Sequence, residues 1–258
     1  MPCGERFRWG GATVGGRSHG KRRSRKDRER GLEKKQGPSR CVVKIEEGVL
    51  PGLKAAIVGH SIADDMRALC ASVNDMSEGL NLVQLAMLWL TPRGLNLVRF
   101  RHEVLPDLKA LSPDLIFLQM AGNDLDGPDS AEFVARRYLY QASALFGGSI
   151  KAKVVILGEA LPRPGPKNVS AEVYAHKAAD FNLRLRTALV RPNASSKGQV
   201  HPSRFVDKKV WFWTHERLGA FPRFKSGSGV HLARASLRDL YYSIRAALRE
   251  ASRPIWHM

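Results

Sequence analysis

A serine, an asparagine and a histidine stand at three separate points of the 258-residue chain, each beside or near a glycine and each bordering an apolar run. Ser61 closes Gly59-His60-Ser61, directly after the run Leu53–Val58. Asn123 lies in Gly122-Asn123-Asp124, directly after Leu115–Met120. His231 lies in Gly229-Val230-His231-Leu232, just ahead of a long amphipathic stretch. A serine on a strand-to-helix turn has its hydroxyl lifted above the sheet. The helix N-terminus adds a positive field and free N–H groups for a developing oxyanion. A carboxamide such as Asn123 is a neutral donor suited to that same oxyanion, and Gly122 beside it lets the backbone approach a ligand. Histidine is the natural general base near neutral pH. Taken singly, each has an ordinary structural explanation: a helix N-cap, a turn, a half-buried histidine.

These residues need elements to position them. Leu53–Val58, Leu115–Met120, Lys153–Gly158 and Val210–Trp213 read as buried strands, and Asn96–Phe100 as a further one. Ile62, Met66, Leu69, Cys70 and Val73 share one helical face after Ser61, and Leu80–Leu90 reads as a second helical piece closed by Thr91-Pro92. Ser130 reads as the N-cap of a helix to about Phe146, while 170–189 and 233–251 are helical by spacing. Strands alternating with helices predict a three-layer α/β/α sandwich around a five-stranded, mostly parallel sheet. In such a sheet a ligand crevice lies beyond the carboxyl ends of the strands, where Ser61 and Asn123 are expected. Asp64 and Asp65 suit the dipole of the first helical turn. Trp211, Phe212 and Trp213 read as packing on a central strand. His176, His201 and His215 share no metal-ligand spacing and read as surface or loop residues.

Order and motif together resemble the SGNH (GDSL-like) hydrolases, over roughly residues 53–250. The resemblance rests on Val58-Gly59-His60-Ser61, on 113–125, on Leu161-Pro162-Arg163-Pro164, on Phe212-Trp213-Thr214-His215 and on Gly229-Val230-His231-Leu232. More narrowly, these stretches are similar to SGNH-like domains in open reading frames of retrotransposons in animals such as molluscs and corals. The resemblance implies an esterase in which Ser61 is the nucleophile, Gly122 and Asn123 help form the oxyanion hole, and His231 is the base. It implies an acyl-ester substrate, on a carbohydrate or a lipid, and no cofactor. Three positions depart from the pattern. Ser228 stands where the family has an Asp three residues before the histidine, so the imidazole lacks its usual charged partner. No glycine follows the strand read at Asn96–Phe100, where Arg99-Phe100-Arg101-His102 would either crowd the oxyanion hole or, through Arg101, supply it with positive charge. His60 replaces the Asp of Gly-Asp-Ser. A weakly catalytic binding module on the same scaffold is therefore the alternative. A nucleotide-binding flavodoxin-like protein is disfavoured, because no Gly-x-Gly-x-x-Gly or P-loop pattern is present.

Charge divides the chain. The formal net charge is +18, and residues 1–44 alone hold 14 Lys/Arg against 4 Asp/Glu. Seven of the ten residues 21–30 are basic. Such a segment cannot bury enough apolar surface to offset its ordering entropy. We therefore expect residues 1–48 to be a basic disordered tail, able to contact nucleic acid phosphates without sequence preference, and residues 49–258 to be the hydrolase-like domain. The longest apolar stretch, Leu80–Leu90, is about half the ~20 residues of a membrane span. With no apolar core to a signal in residues 1–44, a cytoplasmic or nuclear location is expected. Cys3, Cys41 and Cys70 are odd in number and widely spaced, which suggests neither a disulfide framework nor a metal cluster.

Overall fold

The computed structural model describes residues 40–42, 52–189, 209–219 and 222–256. Six strands form one sheet: β1 (Arg40–Val42), β2 (Leu53–Gly59), β3 (Leu85–Leu90), β4 (Leu115–Gln119), β5 (Val154–Gly158) and β6 (Lys209–Trp213), in the order β1-β3-β2-β4-β5-β6. β2 through β6 are all parallel, and β1 pairs antiparallel with β3 at one edge. The expected α/β sandwich with five parallel strands is the observed one. β1 lies inside the segment read as a tail; the rest of residues 1–48 lies outside the described residues.

Parallel strands are covered on both faces, so their sequences are continuous apolar runs with no polar side to show. The alternation is nonetheless sorted by face. Ala56, Val58, Ile116, Leu118, Val155 and Leu157 join one cluster; Ala55, Ile57, Leu115, Phe117, Val154 and Ile156 join the other. The helices divide accordingly. α1 (Ser61–Ser72) and α7 (Arg234–Trp256) cover the second face through Ile62, Met66, Leu240 and Ile244. The first face is covered by a helical run, by α5 (Ala131–Ala144) and by α6 (Ala171–Leu189), through Val104, Leu108, Val134, Tyr138, Phe181 and Leu185. That helical run is α2 (Leu97–Arg99), a π-helical turn at Phe100–Val104 and α3 (Leu105–Leu111). Short α4 (Gly122–Leu125) follows β4. Ser130 caps α5 as expected, accepting the N–H of Phe133 at 3.2 Å.

Two assignments made from sequence are corrected. Leu85–Leu90 is strand β3, because it lies in register between β1 and β2, with Leu88 opposite Ala56. Leu97–Phe100 is helical, with Asn96 as its N-cap. The Asn96 side chain accepts the N–H groups of Val98 and Arg99, and Asp124 accepts that of Leu97, so the donors a strand would need are spent on a helix start. β6 is also an edge strand, not a central one, although Trp211, Phe212 and Trp213 do pack on the two cores.

Candidate active site

β2 has neighbours reached by opposite crossovers, β3 on one side and β4 on the other. The carboxyl ends of β2 and β4 thus flank the point where the chain reverses its winding, which is where open α/β sheets form their crevice. Gly59 ends β2 and His60 is the N-cap of α1, so Ser61 is the first residue of that helix. Gly59 has a packing reason as well: a Cβ there would come within 2.5 Å of the Ala63 methyl.

His60 is 3 % exposed, and its two ring nitrogens face two donors. Nδ1 lies 3.4 Å from the Ile62 N–H and Nε2 lies 3.3 Å from Arg163. A neutral imidazole has one bare nitrogen, so it accepts from only one of them. Burial, reinforced by Arg163 and by His231, pushes the ring pKa down to about 3 and keeps it uncharged.

Asn123 is held at both ends of its amide. Nδ2 donates to the Leu95 carbonyl at 2.8 Å, and Oδ1 accepts from Arg163 at 3.1 Å. Those contacts fix the amide orientation, and the second N–H of Nδ2 has no partner among the described residues. Gly122 makes room for the arginine, because a Cβ there would stand 2.5 Å from a guanidinium nitrogen. Arg163 is itself buried, 4 % exposed, and its guanidinium lies over the Tyr174 ring at 5.6 Å. Among the described residues it makes no ion pair. Its loop is anchored by Asp126, which accepts the N–H groups of Lys167 and Asn168, both at 2.9 Å.

His231 is carried by the loop that precedes α7. Leu232 beside it is fully buried in the same core cluster as Ile62 and Met66 of α1. The preceding turn is pinned by Gly229, whose φ is 56° and whose carbonyl accepts the Gly165 N–H at 3.0 Å. The Ser228 hydroxyl accepts the backbone N–H of His231 at 2.9 Å and that of Val230 at 3.3 Å. It makes no bond to the imidazole. The ring instead places Nδ1 2.8 Å from the Asp65 carboxylate, whose same oxygen also receives Lys225 Nζ at 3.1 Å. Asp65 follows Ser61 by four residues, so both lie on one face of α1. Beyond the helix dipole expected of it, Asp65 thus has a side-chain partner on the His231 loop.

The structure thus gathers the turns bearing Ser61, Asn123 and His231 around the ends of β2 and β4. Arg163 and Asp65, both missed from the sequence as parts of this cluster, tie them together. Because the second strand of the parallel sheet is Leu85–Leu90, the glycine that follows it is Gly94, with φ 71°, next to the Leu95 carbonyl that holds Asn123. Phe100 is core and Arg101 is exposed, so neither crowds this crevice. The signal was in the sequence, as Thr-Pro-Arg-Gly after an apolar run, but the run was read as a helix.

His215, expected at the surface or in a loop, lies in the loop after β6 but is 2 % exposed. Its ring forms a chain with one direction: Trp213 donates to Ser243 Oγ at 3.0 Å, that hydroxyl faces His215 Nδ1 at 2.9 Å, and Nε2 faces Gln119 Oε1 at 2.8 Å. Indole only donates and the amide oxygen only accepts, so Nε2 carries the hydrogen. Desolvation lowers the His215 pKa to about 3 and leaves it a neutral structural group behind β4 and β6. His176 is exposed, and His201 lies outside the described residues.

No protein-family model and no curated protein matches the sequence. Solved structures do match it in fold. A GDSL-like lipase from Bacteroides thetaiotaomicron is similar with a TM-score of 0.54 at 16% identity, over 77% of this chain and 88% of that one. A carbohydrate esterase family 3 protein from Talaromyces cellulolyticus gives 0.54 at 12% identity, over 78% and 99%. An acetyl-xylooligosaccharide esterase from Geobacillus, in a variant form, gives 0.50 at 11%, over 76% and 94%. The described domain therefore has the α/β/α fold of GDSL-like and related esterases.

Proposed function

We propose that this chain is a serine hydrolase of SGNH type that cleaves an acyl ester, with Ser61 as nucleophile and His231 as base. One observation carries the reading. The histidine ring is held through its Nδ1 by Asp65, one turn along α1 from Ser61, so its Nε2 is left for the proton of a nucleophile.

In the proposed reaction, Ser61 Oγ forms a bond to the acyl carbon while its proton passes to His231 Nε2. The carbonyl electron pair moves onto oxygen. The Ser61 N–H, the free N–H of Asn123 and the Gly94 N–H are the donors we assign to that oxyanion. Collapse breaks the bond to the leaving alkoxide, which takes the proton from His231. Water then repeats the two steps on the acyl-serine, releasing the acid. Fold neighbours named as a carbohydrate esterase and as an acetyl-xylooligosaccharide esterase support a small acyl group on a sugar as the first substrate to try.

The test is covalent labelling by a fluorophosphonate probe followed by peptide mapping. The reading expects the adduct on Ser61, and its loss in both Ser61→Ala and His231→Ala. An unlabelled wild-type protein would favour the second reading, an SGNH-type binding module. Fourteen basic residues in 1–44 support that alternative, with the tail contacting nucleic acid in a mobile-element setting.

A further inference from the structure

An SGNH-type histidine needs an acceptor for its Nδ1–H, and the residue three positions upstream is Ser228, whose hydroxyl is spent on two backbone N–H groups. The ring has nonetheless a carboxylate. Asp65 Oδ2 lies 2.8 Å from Nδ1, and this carboxylate belongs to a different element, one turn beyond Ser61 on α1. Its side chain is 12% exposed, against 34% for His231. The charge sits in the drier half of the pair, where it is least screened.

We infer that Asp65 is the positioning acid of His231, relocated from the loop of the histidine to the helix of the nucleophile, and that position 228 is free to be a serine because of it. The inference rests on the hydrolase reading above. A carboxylate on Nδ1 fixes the tautomer with Nε2 bare and stabilises the imidazolium formed when Ser61 gives up its proton. Placing that acid on α1 has a mechanical consequence. Nucleophile and acid share one rigid helix, four residues apart, so the loop bearing His231 docks onto a preformed pair. In the upstream arrangement, acid and base ride on the same loop and must find the serine together. Lys225, at 3.1 Å from the same carboxylate oxygen, closes this contact on the solvent side.

The experiment measures the rate of Ser61 labelling, and of p-nitrophenyl acetate hydrolysis, on the full chain. The variants are Asp65→Ala, Ser228→Asp and the double Asp65→Ala/Ser228→Asp. Loss of the acid alone in serine proteases costs about 10⁴-fold in kcat, so a fall of 10²–10⁴-fold is expected for Asp65→Ala. Ser228→Asp in the wild-type background should not raise the rate, because Nδ1 is already engaged. In the Asp65→Ala background it should restore at least tenfold, which a purely architectural role of Asp65 would not allow. A second readout is independent of turnover: the hydrogen-bonded Nδ1–H resonance of His231 in ¹⁵N-edited spectra, present in wild type and lost in Asp65→Ala. Wild-type rates in Asp65→Ala, with labelling still dependent on Ser61, would overturn the inference and leave the hydrolase reading standing. So would a folded Asp65→Ala protein whose loss the second substitution leaves uncorrected. Absence of Ser61 labelling in wild type, with the Nδ1–H resonance intact, would remove the hydrolase reading and reduce Asp65 to a structural partner of His231.

Discussion

At the residue scale, Arg163 is the side chain whose role is set most narrowly by its contacts. It offers one donor to His60 Nε2 and another to Asn123 Oδ1, from a buried position above Gly122. The five N–H groups of a guanidinium form a rigid planar fork that can face the His60 ring and the Asn123 oxygen at once, whereas an ammonium is a compact point charge on a flexible four-carbon stem. Arg163→Lys should therefore release the Asn123 amide while leaving Ser61 and His231 in place. We expect kcat on p-nitrophenyl acetate to fall about 10–100-fold with KM little changed, since removing an oxyanion donor outright costs ~3–4 kcal/mol and misaligning one costs less. A rise in KM at constant kcat would instead assign Arg163 to substrate binding.

At the scale of elements, the site depends on two loops that touch through glycines. A Cβ on Gly229 would stand 2.6 Å from both the Cα and the N of Gly165, and its φ of 56° lies where a side chain is strained. This single close approach joins the loop bearing Arg163 to the loop bearing His231. Gly229→Ala should destabilise the protein by about 2 kcal/mol or more, combining backbone strain with displacement of Gly165. Chemical denaturation checks the first effect. Slower labelling of Ser61 in protein that remains folded checks the second, because the two loops pushed apart carry Arg163 and His231. Unchanged stability would mean that the two loops separate without cost.

At the scale of the whole molecule, the buried titratable groups pull stability in opposite directions with pH. His60 and His215 are both held to about 3 against an ordinary 6.5. Below pH 6.5 the unfolded chain takes up protons that the folded state refuses, so their contribution is present above 6.5 and lost as pH falls toward 3. Asp124 runs the other way. Burial raises its carboxyl from 3.8 to about 6, despite the Leu97 N–H it accepts, so its contribution is present below 3.8 and lost as pH rises through 6. Between pH 4 and 6 two histidines oppose one aspartate, a net difference of one proton. Stability should then fall by about 1.4 kcal/mol per pH unit on acidification. Burial also raises Glu159, which trims this slope at the acid end. Urea midpoints between pH 4.5 and 7.5 measure it. Asp124→Asn, which keeps an oxygen for Leu97, should make the fall steeper; a flat profile in both proteins would contradict the opposition.

What the sequence determined by itself is what short range determines. Buried parallel strands are apolar runs wherever they occur, so β2, β4, β5 and β6 were legible. The Ser130 cap and the helical faces of α1 and α7 were legible for the same reason, since their partners lie within one or two turns. The glycine-flanked Ser61, Asn123 and His231 could be picked out as candidates, and the fold that brings their turns together follows from the alternation of strands and helices. Tertiary structure decided the rest. Leu85–Leu90 is strand instead of helix because β1 and β2 offer ladders on both sides, and an apolar run of that length carries no sign of which it will be. Leu97–Phe100 is helical in part because Asp124 takes the Leu97 N–H from 27 residues away. With those two elements exchanged, the glycine after the second parallel strand was sought in the wrong place. The carboxylate of His231 was sought three residues away on its own loop and lies 166 residues away on α1. A hydrogen-bond partner is chosen by distance in space, and distance in space between remote segments is set only when both cores are packed.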